Sequence, residues 1–285
     1  MIVESKIVAE ELAQGLASLA VEALLEELHL TPKPGLVDRM NSGTHRDLSF
    51  SLMEISARTL RECFYEMAMA GIDKQPSQHL REQLAAIGRY GEEKMLRATG
   101  QVNTHRGAIW ALGLITGATA VLVSQQDGDS ITHENILTTA GAIAGFEDGH
   151  APLHTTNGSR VRERYQVRSA REEAMAGFPS LRNIALPAWY AHHAEPLNIR
   201  KLNVLLSLMA VTDDTCVLHR SDMEVLCEVK RMAGEIIAMG GMGYYVNWQR
   251  YHALDKFIQS KWVSPGGSAD LLAATLFLQK ITHHY

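Results

Sequence analysis

The sequence predicts an all-α chain, a single-domain bundle of many helices that cross orthogonally. Three observations carry that prediction. Apolar residues recur at three- and four-residue steps through most of the 285 positions, and strand-like alternation is almost absent. Small residues such as Ala108, Ala111, Gly113, Gly117 and Ala120 make surfaces on which helices cross closely.

Taken in order, the pattern opens with Leu12, Leu16, Leu19, Ala20, Ala23, Leu24 and Leu28, which form one broad apolar face. It stops at Thr31-Pro32, because proline lacks an amide donor and disfavours helix in the residue before it. Further helices are expected at about 50–71, 79–98, 106–125, 132–147, 168–177, 197–212, 222–239, 246–261 and 268–281. Val121-Leu-Val123, an apolar run that a strand could use, lies inside one of these windows. Residues 149–166 are the most polar and least periodic stretch, and read as a mobile loop near a site in preference to a domain boundary. No repeat or Gly/Ser/Pro linker divides the chain, so residues 1–285 are read as one domain.

Composition narrows the function. With 46% hydrophobic and 21% charged residues the chain has the balance of a soluble globular protein. A net charge of −5 offers no basic field for nucleic acid, so a polyphosphate ligand must be held by local positive charge. Cys63, Cys216 and Cys227 show no CxxC spacing, which predicts a reducing, cytoplasmic setting. Glu4, Lys6, Glu10 and Glu11 leave no apolar signal core near the start. No stretch approaches ~18 uninterrupted apolar residues, so no membrane span is expected.

Three short motifs combine chain-freeing Gly or Pro with charged or hydroxyl side chains beside a predicted helix. Loop amides and helix N-termini of this kind make anion sites, and neighbouring Lys, Arg and His add charge. The first is Thr31-Pro-Lys-Pro-Gly-Leu-Val-Asp38, continued by Arg39, Ser42, Gly43, His45, Arg46 and Asp47. Asp38 and Asp47, flanked by Lys33 and His45, could hold a divalent cation against phosphate; alternatively the loop is a capped turn, with Asp47 or Ser49 starting the next helix. The second is Asn103-Thr-His-Arg-Gly107, preceded by Glu92 and by a helix stop at Thr99-Gly100. Asn103 or Thr104 caps the following helix, which puts His105 and Arg106 in a first turn where cations oppose the macrodipole unless an anion is bound. The third is Ser264-Pro-Gly-Gly-Ser-Ala-Asp270, with Ser268 as N-cap, Gly266-Gly267 open to close approach by a ligand, and Asp270 complementing the dipole of its own helix. It lacks the lysine and spacing of a P-loop. Two further places stand out. Asp213-Asp-Thr215 ends an apolar helix, where an acid suggests a metal, a catalytic base or simple solvation. Arg171 could meet phosphate or pair with a neighbouring acid, and His283-His284 reads as an exposed tail.

Pro32-Lys-Pro-Gly-Leu-Val-Asp38, the Ser-Gly-x-His-Arg-Asp47 after it, Asn103-Thr-His-Arg-Gly107 and Ser264-Pro-Gly-Gly-Ser-Ala-Asp-Leu271 occur in the order found in the triphosphoribosyl-dephospho-coenzyme A synthases, which this chain resembles from about residue 12 to 280. The resemblance implies an all-α fold and a reaction between two substrates, ATP and 3′-dephospho-coenzyme A. The 2′-hydroxyl of the latter attacks the ribose C1 of ATP, adenine leaves, and the triphosphate is retained. The product would be the prosthetic-group precursor for the acyl-carrier subunit of malonate decarboxylase or citrate lyase, and Arg106-Gly-Ala-Ile-Trp110 resembles the malonate branch more closely. Self-association is left open.

By the same resemblance Lys33, Ser42, His45, Arg46, Asn103, His105, Arg106 and Arg171 are phosphate or substrate contacts, and Gly266, Gly267 and Ser268 a phosphate cradle. Asp38, Asp47, Glu92 and Asp214 become candidates for activating the hydroxyl, with Asp38, Asp47 and Asp214 also candidates for Mg²⁺. The chain departs from the family at Gln101, where Gly is usual, and at Cys216, Ser221 and Asp222. A Mg²⁺-dependent nucleoside polyphosphate hydrolase and a non-catalytic partner of the coenzyme or acyl carrier are the competing readings.

Overall fold

A computed structural model describes residues 2–125, 131–151 and 156–285, and all regular structure among them is helical. The first helix, α1 (Ile2–His29), buries Leu16, Ala20, Ala23, Leu24 and Leu28, the face that its periodicity outlines. The window at 50–71 is two helices, α2 (Phe50–Thr59) and α3 (Arg61–Gly71), meeting at Leu60, whose ψ of −5° bends the chain without leaving the helical region. Ser49 caps α2 by accepting from the Leu52 N–H at 3.2 Å. Next come α4 (Gln78–Ala98), capped by Ser77, and α5 (Arg106–Ser124).

α5 is the axis of the molecule and packs against α1, α3, α4, α6 (His133–Gly145) and α14 (Gly266–His284). Its small residues have the role expected of them: a Cβ on Gly71 of α3 would sit 2.4 Å from the Gly117 carbonyl oxygen, so the two backbones touch. By length and composition α5 could cross a membrane, but 72% of its most apolar window is buried in the bundle, as in a core helix. One continuous hydrophobic cluster runs from Ala13 through α5 to Ile281.

The second half adds α7 (Asn157–Tyr165), α8 (Ala170–Met175), a π turn at Leu181–Ala185, α9 (Leu186–Ala191), α10 (Leu197–Val211), α11 (Thr215–Arg220), α12 (Met223–Ala238) and α13 (Asn247–Lys261). The polar stretch read as a loop therefore contains a helix. α7 has one buried residue, Val161, and so no apolar period to read; its start is fixed by Thr156, which accepts from the Ser159 N–H at 3.1 Å. Residues 152–155 of that stretch lie outside the described residues. α14 starts two residues earlier than expected, with Pro265 and not Ser268 at the N-cap, and this shift changes the chemistry of the third motif.

Candidate active site

The loop between α1 and α2 is organised by two of its charged residues. Asp38, 2% exposed, accepts from the Lys33 N–H at 3.0 Å through Oδ2 and from the Met40 and Asn41 N–H groups at 2.7 and 3.1 Å through Oδ1. Its carboxylate is spent on backbone donors. Lys33 is also buried, and its ammonium donates to Glu27 Oε1 at 2.6 Å and to the Glu27 carbonyl at 2.9 Å. The expected phosphate lysine is thus the partner of a buried carboxylate. Gly43 (φ +57°) lies on the Gly35 carbonyl, 2.5 Å from where a Cβ would be, so the loop closes on itself only with glycine there.

Thr44 ties this loop to the third motif by donating to the Val263 carbonyl at 2.7 Å. His45 continues the tie: Nε2 shares a hydrogen bond of 3.0 Å with Ser264 Oγ, and Nδ1 accepts from Arg220 Nη2 at 3.0 Å. Burial and then the Arg220 charge hold the ring at about 4, so His45 is neutral at pH 7 and no cation for phosphate. Arg46 and Asp47 are exposed, with Arg46 over the Trp262 ring; Ser42 is half-buried and accepts the His45 N–H through its carbonyl.

In the second motif the stop at Gly100 (φ +64°) is followed by Gln101 at φ +70°. Glutamine here adopts a left-handed conformation that glycine takes without strain, which accounts for the usual glycine at this position. Asn103 Oδ1 accepts from the Arg106 N–H at 3.2 Å, while His105 occupies the N-cap position without capping. The His105 ring is buried, with Nδ1 2.7 Å from Ser56 Oγ and Nε2 without a partner. Burial, then Lys33, pushes it down to about 4, so it too is neutral. Arg106 pairs with Glu92 on α4, which uses that candidate base as a counter-ion.

The third motif is held by Asp214. This residue is not the end of α10 but the N-cap of α11, where Oδ1 accepts from the Cys216 N–H at 2.9 Å. It reaches at the same time into the start of α14, accepting from Gly267 N–H at 3.3 Å, Ser268 N–H at 2.8 Å and Ser268 Oγ at 3.0 Å. The expected phosphate cradle is filled by the protein's own carboxylate. Of the departures, Asp222 caps α12 through the Val225 N–H and Ser221 ends α11, so both are absorbed by helix boundaries.

Asp270 is the residue that sequence reasoning underrated. Because α14 starts at Gly266, Asp270 is past the first turn of its own helix. It meets the N-terminus of α5 instead: the Ala108 N–H donates to its carboxylate, and a Cβ on Gly107 would overlap Oδ2 at 2.0 Å. The carboxyl is half-buried, and burial, then the nearby Glu27 and Asp214 charges, raises its pKa well above the ordinary range. Among the described residues no cation pairs with it.

The three motifs therefore converge, through Lys33 and Glu27, His105 and Gly107, and Asp214 and Asp270. Arg171 lies apart on α8. Among the described residues no three His, Cys, Asp or Glu stand close enough to hold a metal ion, so Asp38, Asp47 and Asp214 do not assemble the expected Mg²⁺ site. Their geometry explains this, since Asp38 is buried among three backbone donors, Asp214 accepts four hydrogen bonds and Asp47 is exposed.

The two histidines give a pH dependence. Each has a folded pKa of about 4 against an ordinary 6.5, so each binds a proton on unfolding between those values. Stability therefore rises with pH across this window and is lost as pH falls from 6.5 towards 4. Urea unfolding midpoints measured from pH 7 to 4.5 are expected to fall, and the fall to be shallower in His45→Gln.

The sequence profile of the family described as ATP:dephospho-CoA triphosphoribosyl transferase matches residues 13–285. A 2-(5′′-triphosphoribosyl)-3′-dephosphocoenzyme-A synthase from Klebsiella pneumoniae is 42% identical over 277 residues, 96% of each chain. A chain from Stutzerimonas stutzeri (strain A1501), described as a probable enzyme of the same name, is 44% identical over 279 residues, 96% of this chain and 94% of its own. No solved structure matches.

Proposed function

This chain belongs to the ATP:dephospho-CoA triphosphoribosyl transferases, and from that premise we propose that Asp270 is the general base of the transfer. The enzyme couples ATP and 3′-dephospho-coenzyme A and releases adenine, and the hydrolase reading finds no support among its relatives. The observation that carries the proposal is a half-buried carboxylate without a cation, set on the N-terminus of α5 where the motifs meet.

Substitution at an anomeric carbon passes through an oxocarbenium-like state, which a carboxylate stabilises while it takes a proton. The 2′-hydroxyl oxygen forms its bond to ribose C1 and gives its proton to Asp270. The C1–N9 bond breaks with its electron pair going to adenine, which takes up one proton, so Asp270 returns to its starting state by passing its proton on. Burial, then the Glu27 and Asp214 charges, raises the proton affinity of Asp270, which favours proton transfer to it. The neutral His105 ring, one residue before α5, has its Nε2 buried without a hydrogen-bond partner. Mg²⁺ would come as the counter-ion of the ATP triphosphate and would neutralise charge on its oxygens.

Arg106-Gly-Ala-Ile-Trp110 supports the malonate-decarboxylase branch and hence a link to its acyl-carrier subunit. Three free cysteines support a reducing, cytoplasmic setting. One continuous core supports a single domain.

The test is mass spectrometry of a reaction with ATP, Mg²⁺ and 3′-dephospho-coenzyme A. Stoichiometric adenine and coupled product are expected from the wild type, with kcat lower by about 10²–10⁴ in Asp270→Asn. Asp270→Asn is also expected to melt higher at neutral pH, since it removes a charge that burial disfavours. ADP or AMP without adenine would overturn the transferase, and an unaltered Asp270→Asn would overturn the base.

A further inference from the structure

A second concentration of charge lies along the seam of α4 and α5. Arg81 of α4 is 5% exposed, its guanidinium lies 5.1 Å from the centre of the Trp110 ring, and its Nε is buried without a hydrogen-bond partner. No carboxylate among the described residues forms an ion pair with it. A guanidinium withdrawn from water without a hydrogen-bonded anion is costly; its largest charge interaction is with Asp148, followed by repulsion from Arg171 and Arg89. Arg89, two turns further along α4, pairs with Asp148 at 2.5 Å. Arg171 stands exposed at the start of α8, with no ion pair among the described residues, and α8 is held to this place by the Trp110 Nε1–H donating to the Ala170 carbonyl at 3.1 Å. Glu82, the other acid near Arg81, accepts from Gln78 Nε2 at 2.7 Å.

The cluster shares α5 with the candidate active site. Gly107, against Asp270, opens α5, and Trp110, under the Arg81 guanidinium, follows Gly107 by three residues, or about 4.5 Å of rise.

We propose that Arg81, Arg171 and Arg89 seat the triphosphate of ATP beside the Trp110 ring. The proposal rests on the transferase reading for its ligand. Guanidinium groups bind phosphate oxygens two at a time, and an anion there supplies the partner that Arg81 lacks. Three arginines against Asp148 and Glu82 leave a positive surplus, which fits the more highly charged triphosphate better than the diphosphate of dephospho-coenzyme A.

The test uses the whole protein, inorganic triphosphate as probe, and the variants Arg81→Gln and Arg171→Gln. Inorganic triphosphate is expected to raise the melting temperature of the wild type, a rise lost in Arg81→Gln and reduced in Arg171→Gln. In steady state both variants are expected to raise KM for ATP about 10- to 100-fold while KM for dephospho-coenzyme A stays within about twofold. A rise in KM for dephospho-coenzyme A alone would assign the three arginines to the diphosphate and overturn the proposal. So would an undiminished triphosphate shift in both variants. If Arg81→Gln has no cooperative melt, the exposed Arg171 decides by the same criteria. Because the shift needs no turnover, it remains decisive even if the wild type makes no adenine.

Discussion

Lys33→Met is expected to destabilise the protein by about 3–5 kcal/mol, the range for removing one partner of a buried ion pair. The loss comes from Glu27, which is 6% exposed and would keep a charge with no counter-ion after its partner at 2.6 Å is gone. Denaturant unfolding followed by circular dichroism measures it. Replacing both residues, as Glu27→Gln with Lys33→Met, is expected to restore much of the stability because no bare charge then remains. If Lys33→Met were as stable as the wild type and only weakened ATP binding, the ammonium would be a free phosphate contact and the buried pair would not matter.

The second large effect is expected at Asp214. Four donors from two helices converge on its carboxylate, and Ser268 is fully buried, so Asp214→Ala strands amides that water reaches poorly. A loss of about 2–4 kcal/mol is expected, since hydrogen bonds to a charged group are stronger than neutral ones and unmet buried donors carry their full desolvation cost. Activity is expected to fall with stability, because loosening the start of α14 moves Asp270. Unfolding midpoints and adenine release measured on the same samples check this. Full stability with a changed Mg²⁺ requirement would instead make Asp214 a metal ligand.

How far the sequence could be read follows from where each signal resides. The face of α1 and the small-residue surface of α5 are local periodic patterns and were legible. α7 was not, because a helix with only Val161 buried leaves no period, and the bend at Leu60 disturbs none. The motifs were rightly picked out as belonging together, since their glycines mark close approach. Their charges were harder to place. Asp38 is committed to amides within its own loop, but Asp214 is committed to amides 53 and 54 positions away, and no local rule announces that. Lys33 was read as facing a ligand because the depth of Glu27 depends on helices packed around it. Asp270 was assigned to its own helix through a two-residue error in where that helix begins, and only the packing of α14 on α5 shows which N-terminus it serves.

That packing also has a consequence for biosynthesis. The floor of the site, Glu27, Lys33, His105 and Gly107, leaves the ribosome long before Asp214 and Asp270 are translated. A nascent chain of 200 residues can fold much of the early bundle, yet it has neither carboxylate. The arrival of α14 completes the hydrophobic core and delivers the proposed base in the same event. On the proposed mechanism, a chain that stops short of Asp270 lacks the base of the transfer.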